Sequence, residues 1–173
     1  IPMHAMTQAK SQSATLPAQL QAIHTDSSEP TISVEAALLL AQARNMAFAE
    51  AAQGRLGEGL NLLQIALEHE PMAHDLLSDM AALLLSAGEL AHAQAAAERA
   101  LALQPNHGAS LYSLAFALSG QGQVLRAREV LQRLLTGEAL QNLQMESPDL
   151  LPVAQTEMKR LSALIGGAAT AAD

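Results

Sequence analysis

Glycine recurs in this chain at a fixed interval, and that interval limits the fold more than any other feature. Gly54, Gly88 and Gly122 stand 34 residues apart. The same step relates Gly59, Ala93 and Ala127, then Ala66, Ala100 and Leu134, then Pro71 and Pro105. A register of small, apolar and helix-ending residues held over three copies requires a repeated supersecondary unit. Thirty-four residues accommodate two helices and two turns, which is the period of a helix–turn–helix solenoid. One such unit cannot bury its own apolar face, so the copies must stack.

Composition narrows the choice. Half the residues are apolar, yet only Phe48, Tyr112 and Phe116 are aromatic. A core of Leu, Ala and Met suits closely packed helices better than a β-sandwich. The net charge of −8 argues against binding a phosphate backbone, which needs clustered Lys and Arg. No cysteine is present, which excludes disulfides, thiolate metal sites and cysteine nucleophiles. No apolar run reaches the length of a membrane span. The chain opens Ile1-Pro2-Met3-His4 and reads as trimmed, so its start carries no information about export.

Residues 1–30 are polar and rich in Ser and Pro, with Leu16, Leu20 and Ile23 as one short apolar stripe. They predict a flexible arm with one short helix, either a leader or an arm that caps the array or mediates dimerisation. Thr31 or Ser33 can N-cap the next helix, and Val34 to Gln53 are good helix formers. Three units follow as Leu40–Ala73, His74–His107 and Gly108–Gln141. Their turns read Gln53-Gly54-Arg55-Leu56, Ala87-Gly88-Glu89-Leu90 and Gln121-Gly122-Gln123-Val124. Glycine ends the first helix of each because the chain must enter the left-handed region there. Pro71 and Pro105 close the second helices, since proline has no N–H to donate.

On these residues the chain resembles the tetratricopeptide repeat family over about residues 36–141. The resemblance implies small residues where paired helices cross, here Ala47, Ala81 and Ala115 with Gly59, Ala93 and Ala127. It is departed from in three ways. Glu50 stands where the other units carry Leu84 and Leu118, predicting an edge that is solvated or covered by the arm. Gly57 and Gly59 open the second helix of the first unit at a cost of roughly 1 kcal/mol each relative to Ala. Ala139 replaces the closing proline of the third unit, so its second helix ends at Thr136 or runs on irregularly through Gln144.

Ser147-Pro148-Asp149 starts a further helix, with proline in its first turn. Its stripe of Leu151, Ala154, Met158, Leu161 and Ile165 fits the cap that a solenoid's last apolar face needs, and Gly166-Gly167 ends it. The expected fold is all-α, a solenoid of about three repeats plus a C-terminal capping helix. Its parts are an arm (1–30), three repeats (31–146), the cap (147–167) and a frayed tail (168–173).

Signals of chemistry are weak. His69, Glu70, His74 and Asp75 cluster around Pro71, at a unit junction where solvated polar turns are expected anyway. His4, His24, His92 and His107 have no partner at ligand spacing. The glycines from Gly54 to Gly59 follow a helix and lack the Gly-Lys-Ser/Thr ending of a phosphate loop. Gly108-Ala109-Ser110 lacks the second glycine of a nucleophile elbow. No enzyme, cofactor or metal is expected; an enzyme built on His69 and His74 is the third reading.

The resemblance implies that the first helices line a concave groove. One face at helical spacing then carries Arg44, Phe48 and Ala51, next Ser78, Ala82 and Leu85, next Tyr112, Phe116 and Ser119. All three aromatics fall on it, with Asn45, Asp75 and Asp79 alongside. Such a groove suits a peptide or amphipathic helix of a client protein, unless the rings pack within the free monomer. The Lys/Asn set by which some relatives clamp a C-terminal carboxylate is absent, with Asn45 its one vestige. The layout also resembles the translocator chaperones of bacterial type III secretion, which implies an extended apolar client segment in the groove. The expected function is a non-enzymatic protein-interaction module, an adaptor or secretion-type chaperone in the cytoplasm, the periplasm remaining open. The alternative is a self-assembling scaffold, joined as a homodimer or larger oligomer through repeat ends or the arm. Neither nucleic acid nor membrane insertion is expected.

Overall fold

A computed structural model describes residues 33–171, which form eight α-helices and no strand. These are α1 (Val34–Ala52), α2 (Leu56–His69), α3 (His74–Ser86), α4 (Leu90–Leu103), α5 (Gly108–Gly120), α6 (Val124–Leu134), α7 (Gly137–Glu146) and α8 (Leu150–Ala171). The expected arm lies outside the described residues. No helix among them is long and apolar enough to cross a membrane. The chain divides into two compact units, Ile1–Met72 and Ala73–Asp173.

The N-terminal unit contributes the α1–α2 hairpin. Ser33 caps α1, its hydroxyl accepting from the Ala36 N–H at 3.2 Å. Gly54 sits at φ +82°, as the period predicts. Its N–H donates to the Ala51 carbonyl at 3.0 Å while Arg55 N–H reaches back to Glu50 at 2.9 Å. This double bond pattern satisfies carbonyls that α1 would leave orphaned. The same two bonds recur at Gly88 and Gly122, both at φ +79°. One turn is thus built three times from one glycine. Ala47, Leu63, Ala66 and Leu67 are buried in the hairpin, whose Ala47 and Gly59 mark the crossing. The Glu50 side chain is partly exposed, and Arg55 pairs with it and with Glu58, the latter at 3.0 Å. The hydrogen bond from Arg55 holds the Glu50 carboxyl below its ordinary range.

The C-terminal unit holds α3 to α8. Helix α3 pairs with α4, α5 with α6, and α5 lies against both α3 and α4. Its core is leucine at the contacts and alanine where axes approach. Leu111, Leu118, Leu131, Leu134, Leu143 and Leu161 are fully buried, with Ala81, Ala97, Ala115, Ala127 and Ala154 between them. Each such leucine contributes about 1.5–3 kcal/mol of burial. Helix α4 ends one residue before Gln104, which is extended (φ −139°, ψ 91°) because the following Pro105 crowds any helical conformation there.

Three sequence expectations change. The second helix of the third repeat stops at Leu134, and residues 137–146 form a separate helix. Extended Thr136 and Gly137 at φ +58° make the break, so the missing proline is replaced by a glycine turn. Pro148 lies in the turn before α8; the proline in its first turn is Pro152, where no partner carbonyl exists to lose. Finally, α8 continues through Gly166 and Gly167 to Ala171, where the sequence predicts an end and a frayed tail. Neither glycine takes positive φ, so they do not terminate it, and the alanines beyond favour helix. Of the apolar stripe, Ala154 and Leu161 are fully buried, and Leu151 and Met158 pack against the core. Helix α8 covers α6 and touches α5 and α7.

Candidate functional site

The residues expected on the binding face lie in both units. In the N-terminal unit, α1 carries half-buried Arg44, exposed Asn45 and exposed Phe48. In the C-terminal unit, α3 carries Asp75, Ala82 and Leu85 half-buried, but Ser78 and Asp79 are buried. Packing against α4 on one side and α5 on the other leaves α3 only a narrow open stripe, and these two short side chains fall outside it.

On α5, Tyr112 and Phe116 are one helical turn apart and half-buried. Their rings meet with centroids 4.5 Å apart at a tilt of 32°, within the range where aromatic pairs attract beyond simple burial. Helix α8 borders this pair. Ser119 donates to Glu157 at 3.1 Å, and Arg160 donates to both Ser119 at 3.0 Å and Glu157 at 2.9 Å. Ser119 is therefore committed inside the protein rather than open to a ligand. Sequence spacing within α5 could not show this, because the partners lie about forty residues downstream on the final helix.

Burial raises the Tyr112 hydroxyl above its ordinary value, and the Glu157 charge raises it further. Glu157→Gln is expected to lower the phenol's pKa part of the way back, read by ultraviolet titration. The raised value means the folded state holds this proton longer than the unfolded chain. Its contribution to stability is intact below about pH 10 and is lost as pH rises through the raised value. An unchanged titration in the variant would remove Glu157 from the surroundings of the ring.

A second group of polar residues was only partly legible in the sequence. His107, the N-cap of α5, is 3% exposed. Its Nε2 lies 3.3 Å from Asp75 Oδ1 and 3.5 Å from Glu146 Oε2, and its Nδ1 is 2.7 Å from Ser110 Oγ. His74 stacks edge-on against it with centroids 4.8 Å apart, and His74 Nε2 is 3.5 Å from Asp75 Oδ1. The sequence groups His74 and Asp75 with His69 and Glu70 by proximity in the chain. The fold groups them with His107, because the repeat brings the N-terminus of α5 beside that of α3. The signal available in advance was the register: His107 follows His74 by almost one period.

Elsewhere in this unit a cavity of about 410 Å³ is lined by Leu101, Ala102, Leu114 and Val130 with the charged Glu98, Arg126, Glu129 and Arg133. Three of these charges are engaged locally, Arg126 with Glu98 at 3.8 Å and Arg133 with the Pro105 carbonyl at 3.0 Å.

Residues 96–129 match the tetratricopeptide repeat family. No curated protein matches the sequence significantly. Among solved structures, the first tetratricopeptide domain of Spaghetti (RPAP3), bound to the HSP90 peptide SRMEEVD, superposes with a TM-score of 0.60 at 16% identity, covering 72% of this chain and 93% of that one. The solution structure of the first such domain of human RPAP3 gives 0.60 at 15% identity, with 72% and 91% coverage. The TPR2AB domain of yeast Sti1, in its pHSP90 complex, gives 0.60 at 14% identity over 94% of this chain and 57% of that chain. At such identities the likeness is one of fold, and the fold is the all-α tetratricopeptide type.

Proposed function

We propose that this chain is a non-enzymatic protein-interaction module that binds a peptide or helical segment of a client protein. The observation that carries the reading is the half-buried Tyr112–Phe116 pair on α5. Two rings held together, each with part of its surface open, form a preorganised anchor for an apolar side chain at low entropic cost. Ala82 and Leu85 on the neighbouring first helix add apolar surface, and the net charge of −8 gives the chain an acidic bias. The preferred ligand is therefore an apolar segment with a basic flank. Arg44, Asn45 and Phe48 form the corresponding face of the N-terminal unit. Solved proteins of this fold include peptide complexes with HSP90 sequences, which supports peptide binding as the mode. The acidic HSP90 tail itself is a poor fit, since the carboxylate clamp is missing and the chain carries a net charge of −8. Service as an adaptor or a secretion-type chaperone is the cellular role this mode would fill.

Peptides selected against the full chain by display would be measured by calorimetry. Phe116→Ala and Tyr112→Ala are each expected to weaken binding at least about tenfold, roughly 1.4 kcal/mol, while leaving the far-ultraviolet helical signal intact. Phe48→Ala tests the N-terminal unit independently. Affinities unchanged in folded α5 variants would overturn the reading, as would tight binding of SRMEEVD for the basic-flank preference.

A further inference from the structure

We infer that His74, Asp75, His107 and Glu146 form a binding site for one divalent transition-metal ion of the zinc type. All four lie in the C-terminal unit and on three different elements: the first two residues of α3, the N-cap of α5 and the last residue of α7. Donor atoms of His74, Asp75 and His107 all lie within 4.8 Å of one another. Zinc binds imidazole nitrogen and carboxylate oxygen at about 2.0–2.2 Å, so the edge of a tetrahedral site is about 3.3–3.6 Å. Three donor pairs already have that separation: 3.3 Å for His107–Asp75, 3.5 Å for His107–Glu146 and 3.5 Å for His74–Asp75. Glu146 lies outside the common 4.8 Å grouping of the other three; its side chain is 55% exposed and that of His74 32% exposed, so both have room to turn inward.

The hydrogen bonding argues for a cation between these groups. Nδ1 of His107 faces the Ser110 hydroxyl at 2.7 Å, inside the protein. An imidazole whose distal nitrogen is held in this way presents the other nitrogen to a metal, the arrangement by which ligating histidines are oriented. That other nitrogen, Nε2, faces two carboxylates at once. A proton there serves one of them, whereas a divalent cation takes both carboxylates and both imidazoles and is neutralised by the two negative charges. Two nitrogen donors select zinc, cobalt or nickel over magnesium and calcium, which prefer all-oxygen sites. With four protein donors the site is closed, so its role is structural. It would tie together the starts of α3 and α5 and the end of α7, elements far apart in sequence, and binding would be coupled to the stability of this unit.

The test uses the full chain stripped with a chelator and then freed of it. Zinc titration by calorimetry is expected to give one ion per chain, and cobalt is expected to give the intense visible bands of tetrahedral coordination. His74→Ala and Glu146→Gln, both at partly exposed positions that the fold tolerates, should each weaken zinc binding more than about tenfold. Ser110→Ala should weaken it by about tenfold through the freed imidazole, whereas exposed His92→Ala should leave it unchanged. Zinc should raise the melting temperature of the parent chain and not that of His74→Ala. Absence of zinc uptake, uptake equal in His74→Ala and Glu146→Gln, or a cobalt spectrum of octahedral type would each overturn the inference.

Discussion

Replacing Leu161 with alanine is expected to destabilise the C-terminal unit by about 2–5 kcal/mol, the range for truncating a fully buried leucine. Leu161 has no exposed surface and sits on α8 within the same cluster as Leu131 and Leu134 of α6. A chain that used α8 only as a loosely attached tail would lose little. At about 2–4 °C per kcal/mol for a chain of this size, thermal melting would fall by several degrees or more. Leu164, one turn round the helix and 50% exposed, is the control, and its alanine variant should melt within about 0.5 kcal/mol of the parent. Equal effects at the two positions would show that α8 does not bury its apolar stripe in solution.

Two glycines in α2 are expected to respond to the same change with opposite signs. A Cβ on Gly59 would stand 2.6 Å from the Ala47 carbonyl oxygen of α1, and a backbone atom cannot swing aside as a side-chain tip would. Gly59→Ala should therefore push the hairpin apart and cost about 1–3 kcal/mol. A Cβ on Gly57 meets nothing within 4 Å and its backbone is not in the left-handed region. Gly57→Ala should stabilise by about 0.5–1 kcal/mol, because alanine loses less freedom in a helix. Urea unfolding of the two variants decides it. A shift of both midpoints in one direction would mean that the crossing of α1 and α2 is not fixed at this contact.

Those two residues also show what can be read from one dimension and what cannot. Both were legible as helix-weakening glycines, and the 34-residue register placed Gly59 with Ala93 and Ala127. That Gly59 must lack a side chain, while Gly57 merely does, depends on how near Ala47 comes in space. The repeat itself was plain in the sequence for a physical reason. A left-handed turn residue, a small crossing residue and a helix-closing proline are local demands, met at Gly54, Gly88 and Gly122 with the same hydrogen bonds. The end of the third repeat was less legible, because Thr136 and Gly137 break the helix by backbone conformation where earlier repeats use proline.

The candidate sites divide along the same line. The helical period alone placed Tyr112 one turn from Phe116, since both lie on one helix and neighbours at four residues share a face. It could not show that Ser119 is occupied by Glu157 and Arg160, or that Ser78 and Asp79 are buried, because those outcomes depend on which helices pack alongside. Nor could it bring His107 to Asp75 and Glu146. The sequence by itself determined an all-α repeat, its turns and the small residues at its helix crossings, all properties set within about one 34-residue period. The tertiary structure decided which polar groups meet. Burial and ion pairing depend on distances between separate helices, and those distances exist only once the repeats have stacked.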